Sequence, residues 1–572
     1  MAKISTGHPT YYALVAILTA LRVRGDLPVH CLHHQVLGDW RFTLGPLREQ
    51  RSSCGHMRPD TERHQPPKSV VDNDNALAEL LVTLKHPNVA TTVTGETGTW
   101  TMVYDEGFLV TVNRFDFFAF SNFTFEKDTT RTPVTLRNVS HCTSTMVGWY
   151  QNEDRTKFGC YYANKDPTGQ SLVLTHDMLV SSLQGGHSLR KAALRVDFDA
   201  NAPLNARKQA TIVKKLNSQL SALQLGWRAK AMPRWNGRTK RGMNTLAGLR
   251  RPGNHKHRHD HFSMGAEAAP SLNGGSFLQR QGRKRHASVA PSRKSKSRLP
   301  TAFDWSNVHG RDFPEPVMDQ ADCGSCYVAS SVRMLTARHR IRQNDTKAKP
   351  WSINFALTCS EYNQGCMGGY AILTARWARD VGLLPEECMP YNTSGQCNLE
   401  CDLSSLKGKR FRAAGHRYVG SWYGNSSIDA IKAELFHNGP LVLGLEPGED
   451  FMFYSDGIYR NSVPVLLQVG DHEWERVDHS VLLVGWGEED GTPYWRIQNS
   501  WGREWGEAGF FRIVMGEDES GIESIPEAAD VVEDEQQGKQ VAAFFEQLAT
   551  GAAHRSQPGE KPLLASETAA ME

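Results

Sequence analysis

Gln320-Ala321-Asp322-Cys323-Gly324-Ser325-Cys326-Tyr327 is the stretch around which the 572 residues organise. Helical spacing follows it, with Val328, Val332 and Leu335 on one face. Cys326 therefore stands at a predicted helix N-terminus, where unpaired backbone N–H groups and the macrodipole stabilise a thiolate. A thiolate needs a proton acceptor that is itself held in orientation. His479 lies in the apolar, strand-like run Val477-Asp478-His479-Ser480-Val481-Leu482-Leu483-Val484-Gly485. Twenty residues on comes Gln498-Asn499-Ser500-Trp501-Gly502. The Asn499 side-chain carbonyl suits the second ring nitrogen of His479, and Trp501 can shield that bond from water. The order Cys, His, Asn suits acyl transfer through a thioester. The Gln320 amide and the Cys326 backbone N–H are candidate donors to the oxyanion. Taken singly, Cys326 is open to being half of a disulfide and His479 to being a core histidine. Together they supply a nucleophile, a base and an orienting group.

Around this centre the chain divides by composition. The length suggests roughly three or four domains, and 14 Trp, 15 Tyr and 23 Phe exclude wholesale disorder. Residues 26–165 read as β-rich: Trp100, Met102 and Tyr104 alternate, Asp105-Glu106-Gly107 turns, and Phe108, Val110 and Val112 alternate again. Phe115, Phe117, Phe118 and Phe120 make another strand, and a small antiparallel barrel would remove the sheet edges. Residues 166–298 read as a basic propeptide or linker, with an amphipathic helix over 210–225 (Ile212, Leu216, Leu220, Leu223). The net charge of +3 hides +20 on residues 201–300, leaving −17 on the rest. Arg283-Lys284-Arg285 and Arg293-Lys294 suit cleavage by a processing protease. His255, His257, His259 and His261 read as a solvated linker more readily than as a pH-sensitive dock. Nucleic-acid binding has charge alone in its favour, without aromatic interleaving. Residues 299–527 are compact, and 528–572 read as a helix followed by a disordered tail.

The apolar run Tyr11 to Val23 is too short to span ~30 Å of hydrocarbon. It reads as a signal peptide over 1–25, with a mature chain starting at Asp26. Eleven cysteines, an odd number, suggest bridges plus one reactive thiol. Five Asn-X-Ser/Thr sequons (Asn122, Asn138, Asn344, Asn392, Asn425) suit a secretory or lysosome-like route.

Residues 299–527 resemble the papain-like peptidase domain of the cathepsin C (dipeptidyl-peptidase I) family. The resemblance rests on Cys-Gly-Ser-Cys-Tyr at 323–327, with Tyr after the nucleophile where most papain relatives carry Trp. It rests also on Leu299-Pro300-Thr301, on Phe303 to Gly310, and on Tyr418-Val419-Gly420-Ser421-Trp422-Tyr423-Gly424. Residues 26–165 are similar to that family's exclusion domain at Asp26-Leu27-Pro28, Cys31, Gly38-Asp39-Trp40, Gly107-Phe108, Met146 to Trp149 and Cys160.

The resemblance implies an α+β fold: a two-lobed peptidase, one lobe helical and one a β-barrel, behind an all-β exclusion barrel. It implies removal of dipeptides from free N-termini of peptides and proteins, with Asp26 holding the substrate ammonium and Gly368, Gly369 and Trp501 lining the substrate. An endopeptidase, or an idle protein binding through its basic segment, are the rival readings. Chloride is implied on Tyr418 and on backbone N–H groups near Tyr370 and Ile372, and no metal. Ile372 departs from the family's tyrosine, and Val328-Ala329-Ser330-Ser331 departs where relatives carry Phe in the first helical turn. Family pairing would join Cys31–Cys142, Cys54–Cys160, Cys323–Cys366, Cys359–Cys397 and Cys388–Cys401. A homotetramer is also a family expectation.

Overall fold

The computed structural model describes residues 31–166 apart from 62–63, 74–77 and 129–134, and then 202–239, 242–243, 299–398, 411–461 and 478–534. The leader, Asp26, the dibasic sites, the histidine cluster and Cys401 lie outside the described residues, as does the tail from 535.

The first unit is built from β1 (Gly38–Leu44), β2 (Ala78–Lys85), β3 (Val89–Thr92), β4 (Thr97–Val103), β5 (Gly107–Val112), β6 (Phe115–Asp128), β7 (Thr135–Thr145), β8 (Gly148–Asn152) and β9 (Phe158–Lys165). Neighbour pairing runs β1 to β6, passes to β8 and β9, and returns to β1, closing an eight-stranded barrel. β7 lies outside that ring, paired with β6 and β9. Trp40, Phe42, Phe108, Phe117 and Tyr161 fill the inside. The β4–β5 hairpin has Trp100 opposite Val110 and Met102 opposite Phe108. Its turn is Tyr104 to Glu106, one residue earlier than the expected Asp105-Glu106-Gly107, because Gly107 already opens β5. Strict alternation fails here: Phe108, Leu109 and Val110 are all buried. The barrel has no free face on this side, since Phe118 and Trp149 pack on Tyr362 of the second unit, at 5.6 and 4.7 Å between ring centroids.

The second unit carries a sheet ordered β10-β14-β17-β16-β15-β13-β18-β12. Its strands are β10 (Trp227–Ala229), β12 (Phe411–Tyr418), β13 (Leu441–Leu445), β14 (Tyr454–Tyr459), β15 (His479–Glu489), β16 (Thr492–Gln498), β17 (Phe510–Val514) and β18 (Glu527–Glu533). The short β11 (Phe303–Asp304) pairs with β15. Helices Cys326–Gln343, Ile353–Cys359 and Ala371–Asp380 form the other lobe. Every residue from Cys326 to Arg340 is buried, so this stretch of the first helix has no solvent-exposed face; it packs on β15 and β18 as well as on the helix Ala371–Asp380. No helix among the described residues is long and apolar enough to cross a membrane.

Two expectations change. Residues 528–533 belong to β18, which pairs with β12, and are not the start of a loose tail. Nor is residue range 202–239 a solvated linker. Its helix Ala206–Ala222 starts on an Asn205 cap and buries Ile212, Leu216 and Leu220, while Leu223 falls beyond the last turn and is exposed. β10 then pairs with β14, and Trp227 and Trp235 are sunk into the core of the sheet lobe, their indole N–H groups donating to the carbonyls of Arg460 and Met452. Basic residues add ion pairs to this apolar seat: Arg228 with Asp456, Arg234 with Asp319 and Arg238 with Asp322. Composition pointed to a linker because lysine and arginine dominate the count, whereas the few tryptophans and leucines decide the packing.

Candidate active site

Cys326 is the first residue of its helix and is buried. The loop before it is pinned by the Cys323–Cys366 disulfide and by Tyr391, whose hydroxyl donates to the Gln320 carbonyl at 2.9 Å and lies 2.7 Å from Ser325 Oγ. Across the interface between the lobes, His479 opens β15. The backbone N–H of the next residue, Ser480, points at Cys326 Sγ, 3.3 Å away. Ser330 fixes this meeting: its Oγ donates to the Cys326 carbonyl at 2.8 Å and lies 2.7 Å from Ser480 Oγ. Within the departing stretch Val328-Ala329-Ser330-Ser331, Ser330 thus forms a polar clasp between helix and strand.

β15 and β16 pair antiparallel with Leu482 opposite Gln498. That register carries His479 back to the segment just past β16, where Asn499 and Trp501 sit. His479 Nε2 lies 2.8 Å from Asn499 Oδ1, and the Trp501 ring stacks on the imidazole at 4.8 Å between centroids. His479 and Trp501 are wholly buried. With Nε2–H donated to Asn499, Nδ1 is the nitrogen left for the sulfur. Burial pushes the imidazole pKa down to about 4, with the Asn499 bond acting the other way. The resting ring is a neutral base at Nδ1. Gln320 is fully buried; its Nε2 donates to the Cys323 carbonyl at 2.8 Å, and its Oε1 accepts Ser500 Oγ–H. These bonds hold the Gln320 amide in a fixed orientation next to Cys323 and Ser500. This set can take a proton from a thiol, attack a carbonyl and stabilise the resulting charge.

Asn499→Ala should lower kcat by about 10²-fold with little change in KM, since the imidazole loses its orientation. It also removes a bond that favours the charged ring. The acid limb of the pH–rate profile, set by protonation of this base, should therefore move to lower pH, which a fluorogenic assay across pH reads directly.

The remaining expected residues fall as follows. Gly368 has φ +113°, and a Cβ on Gly369 would meet Asn363 and Tyr327 within 2.7 Å, so Gly369 is demanded by packing beneath the site. The disulfides Cys31–Cys142, Cys54–Cys160, Cys323–Cys366 and Cys359–Cys397 are formed, and Cys326 is in none of them. Cys388 is also disulfide-bonded. Tyr370, Ile372 and Tyr418 are buried, Tyr370 against Tyr104 and the other two beside Glu527. Sequence reasoning missed two members of that group. Tyr104, from the barrel hairpin, packs on Tyr370 and Tyr423 at 5.0 and 5.5 Å, and its hydroxyl donates to Glu527 Oε1 at 3.1 Å. The Tyr104 backbone is left-handed (φ +50°), a conformation costing of order 1–3 kcal/mol. Glu527 is buried at the head of β18. An acidic residue between Pro526 and Ala528 carries no sequence signal for such a place.

Residues 299–529 match the papain family of cysteine proteases, and residues 26–165 match the cathepsin C exclusion domain. The chain is 27% identical over 531 residues to cathepsin C of Schistosoma mansoni, covering 91% of this chain and 98% of that one. It is 33% identical over 248 residues to a gut-specific cysteine proteinase of Caenorhabditis elegans, covering 40% and 72%. It is 28% identical over 304 residues to dipeptidyl aminopeptidase 1 of Plasmodium falciparum, covering 40% and 43%.

Proposed function

Since this chain belongs to the papain family of cysteine proteases and carries a cathepsin C exclusion domain, we propose that it removes dipeptides from the free N-termini of peptides and proteins. Cys326 attacks the carbonyl, His479 carries the proton to the leaving amine, Asn499 orients His479, and Gln320 with the Cys326 backbone N–H holds the oxyanion. Water then hydrolyses the thioester.

One observation carries the exopeptidase reading. The Cys31 backbone N–H donates to the Asp105 carbonyl at 2.6 Å, at the tip of the same hairpin that drives Tyr104 into the peptidase unit. Cys326 is near enough to Tyr104 to influence its hydroxyl's ionisation. Cys31 itself is therefore tied to the hairpin that faces the peptidase unit. Asp26 is five residues further back, a reach of at most ~17 Å in extended chain. A carboxylate there would pair with a substrate ammonium and stop the cleft two residues from the cut.

The protein travels the secretory pathway to a lysosome-like compartment or the exterior, as a zymogen whose basic segment is cut by a processing protease. The test compares a dipeptidyl amide bearing a free amine with its N-acetylated form, alongside N-terminal sequencing of the mature protein. Preference for the free amine by about 10²-fold or more, lost in Asp26→Ala, is the expected result. Equal turnover of the blocked peptide would return the chain to an endopeptidase.

A further inference from the structure

Glu527 is 3% exposed. β-Pairing sets it opposite Tyr418 on β12 and Val442 on β13. Its Oε1 accepts the Tyr104 hydroxyl at 3.1 Å, and the Ile372 backbone N–H acts on the same carboxyl group. Ile372 is the second residue of the helix Ala371–Asp380. The first N–H groups of a helix have no partner within it and carry the positive end of its dipole. Of the set that the family resemblance gives to chloride, the Ile372 N–H acts on Glu527 and Tyr418 lies opposite it in the strand pair, while the Tyr370 N–H is donated to Asn363 Oδ1 at 2.8 Å. A carboxyl group that is part of the chain already stands among them.

We propose that the Glu527 carboxyl group is built into this site in place of chloride, so that the wall of the cleft is held without a bound halide. The donors fit one small acceptor, and a tethered one meets them without any loss of translational freedom on binding. Chloride does not fit beside it, because two acceptors would compete for the Ile372 N–H in the same buried space, and where the carboxyl group is ionised two negative charges would face each other out of water. Burial raises the carboxyl pKa to about 8, while the Tyr104 hydroxyl and the Ile372 N–H act in the opposite direction. The acid thus fills the place as a neutral group in an acidic compartment and as an anion above pH 8. The inference uses the family's anion donors and this geometry; it does not depend on exo- or endopeptidase action.

The test measures the thermal midpoint of the full-length protein as chloride is exchanged for gluconate at constant ionic strength, with bromide soaks of crystals as a second readout. The wild type should keep its midpoint when chloride is withdrawn and show no bromide near Tyr418. Glu527→Val empties the place, and its midpoint should climb by a few degrees as chloride is added, as ligand linkage requires. Glu527→Gln keeps the shape and should stay indifferent to chloride. A wild-type midpoint that falls on chloride withdrawal, or bromide bound at Tyr418 beside an intact Glu527, overturns the proposal. The wild-type measurements decide it even where Glu527→Val does not fold.

Discussion

Cys326→Ala is expected to abolish peptide hydrolysis, lowering kcat by about 10⁶-fold, while leaving the thermal midpoint within a few degrees of wild type. The size follows from how the group acts. His479 has a neutral Nδ1 only because Nε2 is committed to Asn499 and burial disfavours the charged ring. That base has nothing to activate once the sulfur is gone, so losing one member costs nearly as much as losing all. The fold should tolerate the change because the helix N-terminus is anchored by other bonds, among them Ser330 to Ser480 and Tyr391 to Gln320. A substrate mimic carrying a thiol-reactive group should label the wild type and fail to label the variant. Turnover surviving in a folded Cys326→Ala protein would mean that another nucleophile does the work.

The second large effect is expected far from the sulfur. Asp380→Asn should loosen the barrel from the peptidase unit, cost about 3–5 kcal/mol of stability, and let N-blocked peptides be cut. Asp380 has no exposed side-chain surface and joins both units. It pairs with Arg379 at 2.8 Å, accepts the Tyr362 hydroxyl at 3.0 Å, and accepts the amide of Gln151 from the barrel at 2.9 Å. Arg379 in turn pairs with Asp116 of the barrel at 2.6 Å, and its carbonyl accepts Arg155. Burial alone would raise the Asp380 pKa, but Arg379, Arg376, Arg51 and the Gln151 amide outweigh it and hold the group well below the usual carboxylate range. A depressed pKa contributes stability that is present above the unfolded value and is lost only as pH falls through the folded one. The joint therefore holds in an acidic compartment. Asparagine leaves Arg376 buried against a neutral group and Arg379 with Asp116 as its remaining carboxylate, which is the expensive way to break such a network. Differential scanning of the variant, with the blocked and free-amine substrates side by side, checks both halves. An unchanged midpoint and unchanged selectivity would show that the other contacts, among them Arg379–Asp116, Tyr104–Glu527 and ring packing at Tyr362, hold the barrel without Asp380.

The catalytic group was legible in the sequence because its chemistry is local: Cys326 needs a helix start, His479 a strand start and Asn499 a tryptophan neighbour, and each carries that context in the chain. The barrel was legible through the Trp100–Val112 alternation. Its burial on both faces was not, because alternation reports one strand and not what a second unit lays against it. Tyr104, Glu527 and Asp380 were invisible for the same reason. Their partners lie hundreds of residues away, and only the assembled interface gives a buried carboxyl group a purpose. Of the reading of 166–298 as a basic propeptide or linker, the linker alternative fails over residues 202–239, where charge outweighed apolar content, although Ile212, Leu216 and Leu220 had already marked the buried face of the helix.

β10 occupies the rim of the sheet, clipped to β14. Severing the chain downstream of residue 243 would not by itself release this piece, since Trp227 and Trp235 stay lodged in the lobe they cover. Ripening would then yield a molecule of several chains that travel together. Should the fragment ever leave, β14 would become a bare flank with unsatisfied amides, and another copy of the enzyme would be its nearest replacement partner.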